Sequence, residues 1–258
     1  MPAGAGSFQL DVLGAGPAYT DRVGASGAAY LVRRGSTAIL LDFGQGSFPR
    51  LASVLEPSLL DAAAISHLHP DHFIDLVALR HYLHWEFQPP RRVRVLAPAG
   101  LATRLDALHD EPGFTAATLD VEDVTPGTVT IGALTLEARP VAHTTDSHAY
   151  RVAVAGGTGP GLVYTGDCGR AADLDSLIRP GDTLLSEVSF GPGPVPPGAA
   201  HLDGPAVAAL ARRTRVASVL LTHLQMGFDE SATIASVRAM FDGPVSLVGP
   251  GDHLTIRG

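Results

Sequence analysis

The run His67-Leu68-His69-Pro70-Asp71-His72 constrains this chain most, because it places four potential metal ligands within six residues. It follows the apolar stretch Ala62 to Ile65. On a strand, alternate side chains share a face, so the first two histidines are expected to point one way, and a turn at the proline would bring the remaining ligands into the same hollow. Imidazole and carboxylate are ligands of Zn, Fe and Mn, and so dense a cluster is costly to bury without a cation. The run therefore predicts a metal site, and its geometry suits two ions. The alternative is a polar turn with incidental histidines.

Three further candidate ligands follow apolar segments elsewhere in the chain. His143 comes after the segment that starts at Leu134, Asp167 after one that starts at Leu162, and His223 after one that starts at Val219. Side chains just past a strand lie at the rim of a sheet, where the scaffold can hold them rigidly. These residues, added to the HxHxDH run, favour a split site assembled from distant parts of the chain.

With these motifs the chain resembles the metallo-β-lactamase superfamily, in the phosphodiesterase branch that contains ribonuclease Z. The resemblance spans nearly the whole chain and implies two divalent metal ions, with Zn first and Mn or Fe as alternatives. It implies that the first metal is held by His67, His69 and His143, that the second is held by Asp71, His72 and His223, and that Asp167 bridges them.

Within that branch, the chain is most similar to the actinobacterial-type cyclic-nucleotide phosphodiesterases. The metal motifs are specific to the superfamily and much less specific to a substrate, since the same ligand set also serves thioester, lactone and sulfate-ester hydrolysis. The similar segments include Val12 to Gly16, Leu41 to Gly44, Ser66 to His72, Val141 to His143, Tyr164 to Asp167, Ser186 to Phe190, His201-Leu202, Leu221 to His223 and Phe241 to Val245.

Chemically, two neighbouring cations can bridge a water and lower its pKa, so the expected nucleophile is a metal-bridging hydroxide. The resemblance implies that His201 is the general acid for the leaving alkoxide and that Glu187 orients it. Asp71 is counted with these catalytic residues as well as with the ligands. Asp42 is a candidate acceptor near the histidine ligands. The alternative for His201 is a surface residue near a helix cap. The alternative for Glu187 and Asp42 is that they are turn or surface carboxylates.

Two other features are candidates for contact with substrate. His148 lies close in sequence to the ligand His143, and the family generally carries no histidine there. The Pro/Gly-rich loop Phe190 to Ala200 immediately precedes His201, and it is a candidate for a mobile wall of the active site.

The order of predicted elements indicates an α/β fold. Strand-like and helical segments alternate with short Gly/Pro-rich connections, and no linker is long enough to separate domains. We predict one domain over residues 1–258, with two mixed β-sheets flanked by helices in an αββα sandwich, which is also the superfamily fold. Among the helices, apolar spacing predicts one over Phe73 to Trp85 and another over Ala172 to Ile178.

Composition restricts the partners. The net charge of −8 disfavours long nucleic acids, because a surface of that sign repels phosphate backbones. We interpret Arg91, Arg92 and Arg94 as solvated arginines beside a short strand, in preference to a phosphate track. Met1 to Leu10 shows no basic segment followed by an apolar one, and no stretch approaches the ~20 apolar residues of a membrane span. We therefore expect a cytoplasmic protein without membrane contact; its oligomeric state is open, with a homodimer among the options.

The predicted substrate is a small phosphodiester, with cyclic nucleotides favoured. Transfer-RNA 3′-end processing is the main alternative within the branch, but that enzyme carries a long arm between the positions matching His143 and Asp167, where this chain has one compact hairpin. A carboxyl-ester or lactone hydrolase, with phosphotriester or sulfate-ester turnover as a side activity, is the alternative from another reaction class. A non-catalytic binding protein is disfavoured by the complete ligand set.

Overall fold

Two seven-stranded sheets form the centre of the molecule in the computed structural model, which describes residues 6–258. Residues 1–5, the start of the segment considered for a leader, lie outside the described residues. The first sheet contains β1 (Ser7–Gly14), β2 (Ala29–Arg34), β3 (Thr37–Leu41), β4 (Ala62–Ala64), β5 (Val93–Ala97), β6 (Leu119–Asp123) and β14 (His253–Arg257). The second contains β7 (Gly127–Ile131), β8 (Leu134–Pro140), β9 (His148–Val154), β10 (Leu162–Tyr164), β11 (Thr183–Glu187), β12 (Ser218–Thr222) and β13 (Val245–Leu247).

Both sheets are mixed. In the first, the strand order is β14-β1-β2-β3-β4-β5-β6, antiparallel from β14 to β3 and parallel from β3 to β6. In the second, the order is β13-β12-β11-β10-β9-β8-β7, parallel from β13 to β10 and antiparallel beyond. Strands β4 and β10, each parallel to a neighbouring strand, are short apolar runs buried on both faces, as expected of strands covered by helices on one side and by the other sheet on the other.

Helices cover the outer face of each sheet. One apolar cluster lies between the two sheets, a second lies between the first sheet and the helices that cover it, and a third lies between the second sheet and its helices. This layering confirms the predicted αββα sandwich. Within residues 6–258, no helix is long and apolar enough to span a bilayer. The helices are α1 (Phe48–Val54), α2 (Pro70–Phe73), α3 (Leu76–Trp85), α4 (Leu101–His109), α5 (Gly204–Thr214) and α6 (Glu230–Arg238).

Two helix predictions were wrong in detail, and one strand was not predicted. The helix predicted over Phe73 to Trp85 is interrupted between α2 and α3, where the Asp75 side chain accepts hydrogen bonds from Gly46 N and Phe48 N. The helix predicted over Ala172 to Ile178 is a short 3-10 helix, Ala171–Leu174, because its backbone bonds close at a separation of three residues. Strand β6 was missed because its sequence, Leu-Asp-Val-Glu-Asp, is largely charged.

The acidic edge strand explains the arginine cluster. Asp120 and Glu122 of β6 pair with Arg92, which immediately precedes β5, and with Arg94 of β5. Arg91 instead lies 5.5 Å from the centre of the Phe87 ring. Two of the three charges are therefore neutralised within the sheet, which agrees with their interpretation as arginines beside a strand.

The HxHxDH run does not lie on a strand, as was expected for its first part. Strand β4 ends at Ala64, and the amide of Ser66 donates to Asp42 Oδ1 at 2.6 Å in place of a neighbouring strand carbonyl. The chain leaves the sheet at that point and enters α2 at Pro70. Because β3, β4, β10, β11 and β12 are parallel neighbours within their sheets, the loops after their carboxyl ends meet at one edge of the sandwich, the usual place for a site in such sheets.

Candidate metal centre

Three histidines converge at the first part of the site. His67 Nε2 lies 3.0 Å from His69 Nδ1, and His143 Nε2 lies 3.2 Å from the same atom. Ring nitrogens at this distance can share at most one proton per pair, so the three cannot satisfy one another fully. A cation among them would accept a lone pair from each nitrogen.

A second group of ligands lies beside the first. His223 Nε2 is 3.3 Å from both Asp71 Oδ2 and His72 Nε2. All three residues are buried. Two imidazoles and a carboxylate are a donor set for Zn, Mn or Fe.

Asp167 lies between the two groups with one oxygen toward each. Its Oδ2 is 3.6 Å from His143 Nε2 and 3.8 Å from His67 Nε2, whereas Oδ1 is 3.6 Å from Nε2 of both His72 and His223. Oδ1 is buried and has no hydrogen-bond partner among the described residues. Such an atom is costly to bury unless a cation compensates it. The donor chemistry and this unsatisfied oxygen fit a divalent metal centre.

The outward nitrogens of the histidines are held by a surrounding shell. His72 Nδ1 contacts Asp42 Oδ2 at 2.7 Å, and His143 Nδ1 contacts the Ala200 carbonyl at 2.8 Å. Hydroxyl partners lie 3.1 Å from the Nδ1 atoms of His67 and His223, namely Ser66 Oγ and Ser189 Oγ. When Nδ1–H donates outward, Nε2 keeps its lone pair for a metal, and the orientation of the ring is fixed.

Asp42 is the centre of that shell, near the ligands as predicted. Besides His72, its carboxylate accepts from Ser66 Oγ at 2.7 Å and from the Tyr164 hydroxyl at 2.6 Å. Asp42 is fully buried, and its φ of 56° places the backbone in the left-handed region, which is strained for a residue with a side chain. His223 shares this conformation, also with φ of 56°. The chain therefore turns sharply where it leaves β3 at Asp42 and where it leaves β12 at His223.

The charge states of His67 and Asp167 suit metal binding. Burial, reinforced by the neighbouring His72, lowers the pKa of His67 well below its ordinary value and keeps that imidazole neutral. Burial opposes charge on Asp167, but His223 and His72 outweigh it and hold the pKa of this carboxyl well below its usual range. Metal ligands must be deprotonated, and His67 and Asp167 meet that requirement at neutral pH. Burial lowers the pKa of His72 and His223, but Asp167 outweighs it and raises the pKa of both, so a binding cation would have to displace their protons.

His201 stands at the edge of the centre and is held by Glu187. Its Nδ1 lies 3.1 Å from Glu187 Oε1 and 3.8 Å from Asp167 Oδ2. Glu187 is fixed in turn, since it accepts from Cys168 N at 2.8 Å and from Ser189 Oγ at 2.5 Å. Burial lowers the pKa of His201, but the hydrogen bond and charge of Glu187 outweigh it and raise the pKa above its ordinary value.

A cavity of about 300 Å³ opens onto these groups. Its lining combines candidate ligands and His201 with residues of two loops, one carrying Tyr19 and the other Gln225. The loop Phe190 to Ala200 is absent from this lining; its two ends instead contact His201 and His143. His148 is buried at the start of β9, where its Nδ1 faces Asp146 Oδ1 at 3.5 Å, and it is not part of the wall either. The lining residues are Pro17, Ala18, Tyr19, His69, Pro70, Asp71, Asp167, His201, His223 and Gln225.

Sequence reasoning missed four members of the shell. Ser66, Tyr164 and the Ala200 carbonyl carry no signal of their own, because their role depends on contacts across the fold. Ser189 lies two residues beyond Glu187, and its hydroxyl reaches Glu187, His201 and His223. A hydroxyl residue so close to a predicted orienting carboxylate was the one available signal.

The comparisons with known proteins agree with this geometry. The family model described as "Beta-lactamase superfamily domain" matches residues 38–224. An uncharacterized protein of Mycobacterium tuberculosis (strain ATCC 25618 / H37Rv) is 32% identical over 239 residues, which cover 89% of this chain and 86% of the relative. Ribonuclease Z of Mycobacterium avium (strain 104) is 28% identical over 203 residues, 70% of each chain.

A solved structure shares the fold over almost its full length. The metallo-beta-lactamase fold protein YhfI from Bacillus subtilis superimposes with a TM-score of 0.85 at 19% identity, over 96% of this chain and 99% of that one. The family model covers most of the chain, including the HxHxDH run, Asp167 and His223. The chain therefore belongs to the metallo-β-lactamase superfamily, as a metallo-hydrolase of its ribonuclease Z-like branch.

Proposed function

We propose that the protein is a binuclear metal-dependent phosphodiesterase acting on small phosphodiesters, with cyclic nucleotides preferred. The arrangement of Asp167 carries the proposal, because one carboxylate offers an oxygen to each of two ligand groups. The first metal would be held by His67, His69 and His143, the second by Asp71, His72 and His223, with Asp167 shared. Zn is the first expectation, and Mn or Fe would suit the same donors.

When bound, two divalent cations supply positive charge for the phosphoryl oxygens and lower the pKa of a water. The chain's own contribution to bond cleavage is His201. Because Glu187 holds Nδ1, Nε2 is the ring nitrogen left to donate a proton to the leaving alkoxide. The raised pKa keeps His201 protonated to higher pH than an ordinary histidine, as a general acid requires.

The described hairpin between the ligands favours a small substrate. From His143 to Asp167 the chain forms only β9, a short connection and β10, with no extended arm. Long RNA gains affinity from many phosphate contacts, which a chain of net charge −8 supplies poorly. A cyclic nucleotide can instead gain most of its binding inside a pocket.

Substrate preference is tested by competition between cyclic AMP and precursor tRNA at matched physiological salt, beside a bis-aryl phosphodiester and a lactone. We expect turnover of cyclic AMP and of the bis-aryl substrate, with precursor tRNA cut poorly or not at all. Efficient tRNA cleavage without cyclic-nucleotide turnover would assign the chain the activity that its ribonuclease Z relative is named for. Lactone hydrolysis with neither would indicate carboxyl-ester chemistry.

Glu187→Gln tests the positioning role of Glu187. We expect an unchanged metal content and a kcat lower by roughly 10- to 100-fold, the usual cost of losing such an orienting partner. The carboxylate raises the pKa of His201, so its removal should move the alkaline limb of the kcat profile to lower pH. Glu122→Gln, at a surface ion pair, is the matched control. A lower kcat with an unmoved alkaline limb would leave Glu187 only a structural role.

A further inference from the structure

We propose that Tyr19 is a nucleobase-stacking residue at the mouth of the active site, an inference that rests on the proposed phosphodiesterase function. Tyr19 lines the same cavity as Asp71, Asp167 and His201. Its side chain is 71% exposed. Of the five tyrosines, all within the described residues, the others are buried or half-buried, so this ring alone is mostly in water.

The loop that carries Tyr19 is closed at its base. Gly16 N donates to Ser26 O at 2.8 Å, so the two ends of the segment between them are joined. Gly14 makes this closure possible, because a Cβ there would come within 1.8 Å of Gly27 O. The two glycines of the segment Gly14-Ala15-Gly16 therefore allow the loop to close tightly.

Further contacts fix the loop in place. Arg22 donates to Leu224 O at 3.0 Å and to Phe228 O at 3.1 Å, on either side of the neighbouring loop that supplies Gln225 to the cavity. Its Nε pairs with Glu230 at 3.0 Å. The residues that support Tyr19 are therefore ordered before any ligand binds. A tyrosine on such a backbone has only two torsions to fix on binding, so stacking costs little conformational entropy.

The cavity is chemically divided. At its buried end, carboxylates and imidazoles such as Asp167 and His223 suit a metal-bound phosphodiester, whereas Tyr19, which is 71% exposed, places an aromatic ring at the solvent end. A substrate that uses both ends carries an anionic phosphate and a planar π system a few bonds apart, which describes a nucleotide. Every base has a π face, so stacking should favour nucleotides as a class over aliphatic phosphodiesters, with weak discrimination among bases.

The test compares two substrates and two readouts in Tyr19→Ala, Tyr19→Phe and Val23→Ala. Val23 is fully exposed on the same loop and lies outside the active-site lining, so it is the matched control. The two substrates are cyclic AMP and an aliphatic phosphodiester such as dimethyl phosphate. We expect Tyr19→Ala to lower the ratio of their kcat/KM values, cyclic AMP over the aliphatic substrate, by roughly tenfold, as expected for the loss of one stacking contact. The change should come from a higher KM for cyclic AMP. Tyr19→Phe should retain the ratio. Calorimetry with 5′-AMP should show a matching rise in Kd.

The outcomes separate this inference from the proposed function. If the wild-type protein cleaves cyclic AMP and Tyr19→Ala changes neither the ratio nor the Kd for 5′-AMP, the stacking role is wrong and the phosphodiesterase proposal stands. If the wild-type protein neither cleaves cyclic AMP nor binds 5′-AMP, both are wrong. An equal loss in Val23→Ala would indicate a general disturbance of the loop and would also overturn the assignment.

Discussion

Asp167→Ala is expected to release one of the two metals and to abolish nearly all turnover. The substitution removes both carboxylate oxygens, and each of them faces a different ligand group. Each group keeps its other three candidate ligands, but two neighbouring cations repel each other without the shared carboxylate, so only one ion should stay bound. Since charge stabilisation by a metal is worth several kcal/mol in the transition state, we expect a loss of roughly 10³-fold or more in kcat. Elemental analysis per protomer and hydrolysis of a bis-aryl phosphodiester measure the two effects.

Asp175→Ala provides the matched control for that variant. Asp175 is an aspartate near the same segment of the chain, but it pairs with Arg213 at the surface. It should keep both metals and full turnover. If Asp167→Ala retained two ions per protomer, the carboxylate would not be the shared ligand.

His201→Ala is expected to keep both metals and to lose roughly 10²- to 10⁴-fold in turnover, the usual contribution of a positioned general acid. Metal content should not change, because the predicted ligands do not include His201. The loss should be large for alkoxide leaving groups such as that of cyclic AMP. It should shrink for nitrophenolate, which departs without a proton.

The comparison of leaving groups separates two roles for His201. A histidine that only binds the phosphoryl group would affect good and poor leaving groups equally. Equal losses would therefore assign His201 to phosphate binding and contradict proton donation. Asp167, Glu187 and His201 also form a group of side chains close enough to hold a metal ion. A fall in metal content in His201→Ala would therefore place His201 among the ligands.

The cluster of candidate ligands could be predicted from sequence because its signals are local. Four ligands lie within one hexapeptide, and Asp167 and His223 each follow a strand-like segment. Parallel strands present their carboxyl ends at one edge, so residues far apart in sequence meet once the strands are recognised. The same alternation of elements sufficed to predict the αββα sandwich.

The partners of Asp42 and the lining of the cavity mouth could not be predicted, because they depend on long-range contacts. Asp42 contacts Ser66 and His72 of one segment and Tyr164 of another. The cavity wall was expected from the loop before His201, yet it comes from the loop of Tyr19, near the start of the chain. Long-range hydrogen bonds from Arg22 to the carbonyls of Leu224 and Phe228 hold this loop in place, and no local sequence pattern predicts them.

Local patterns also failed where side chains take over backbone bonding. The apolar spacing from Phe73 to Trp85 is helical throughout. The Asp75 side chain, however, accepts hydrogen bonds from the amides of Gly46 and Phe48 at the start of α1, and the helix breaks beside it. Likewise, Asp42 replaces a strand partner for Ser66, so the HxHxDH run leaves the sheet earlier than alternation suggests. In both places a carboxylate far from its partner in sequence decides where the element ends.

Metal titration of the apo-protein tests the two-metal phosphodiesterase account most directly. Chelator-treated protein is titrated with Zn²⁺ while bound ions are counted by elemental analysis and hydrolysis of the bis-aryl phosphodiester is followed. We predict that turnover reaches its maximum only as the second ion per protomer binds. Full turnover with a single ion per protomer would contradict the account.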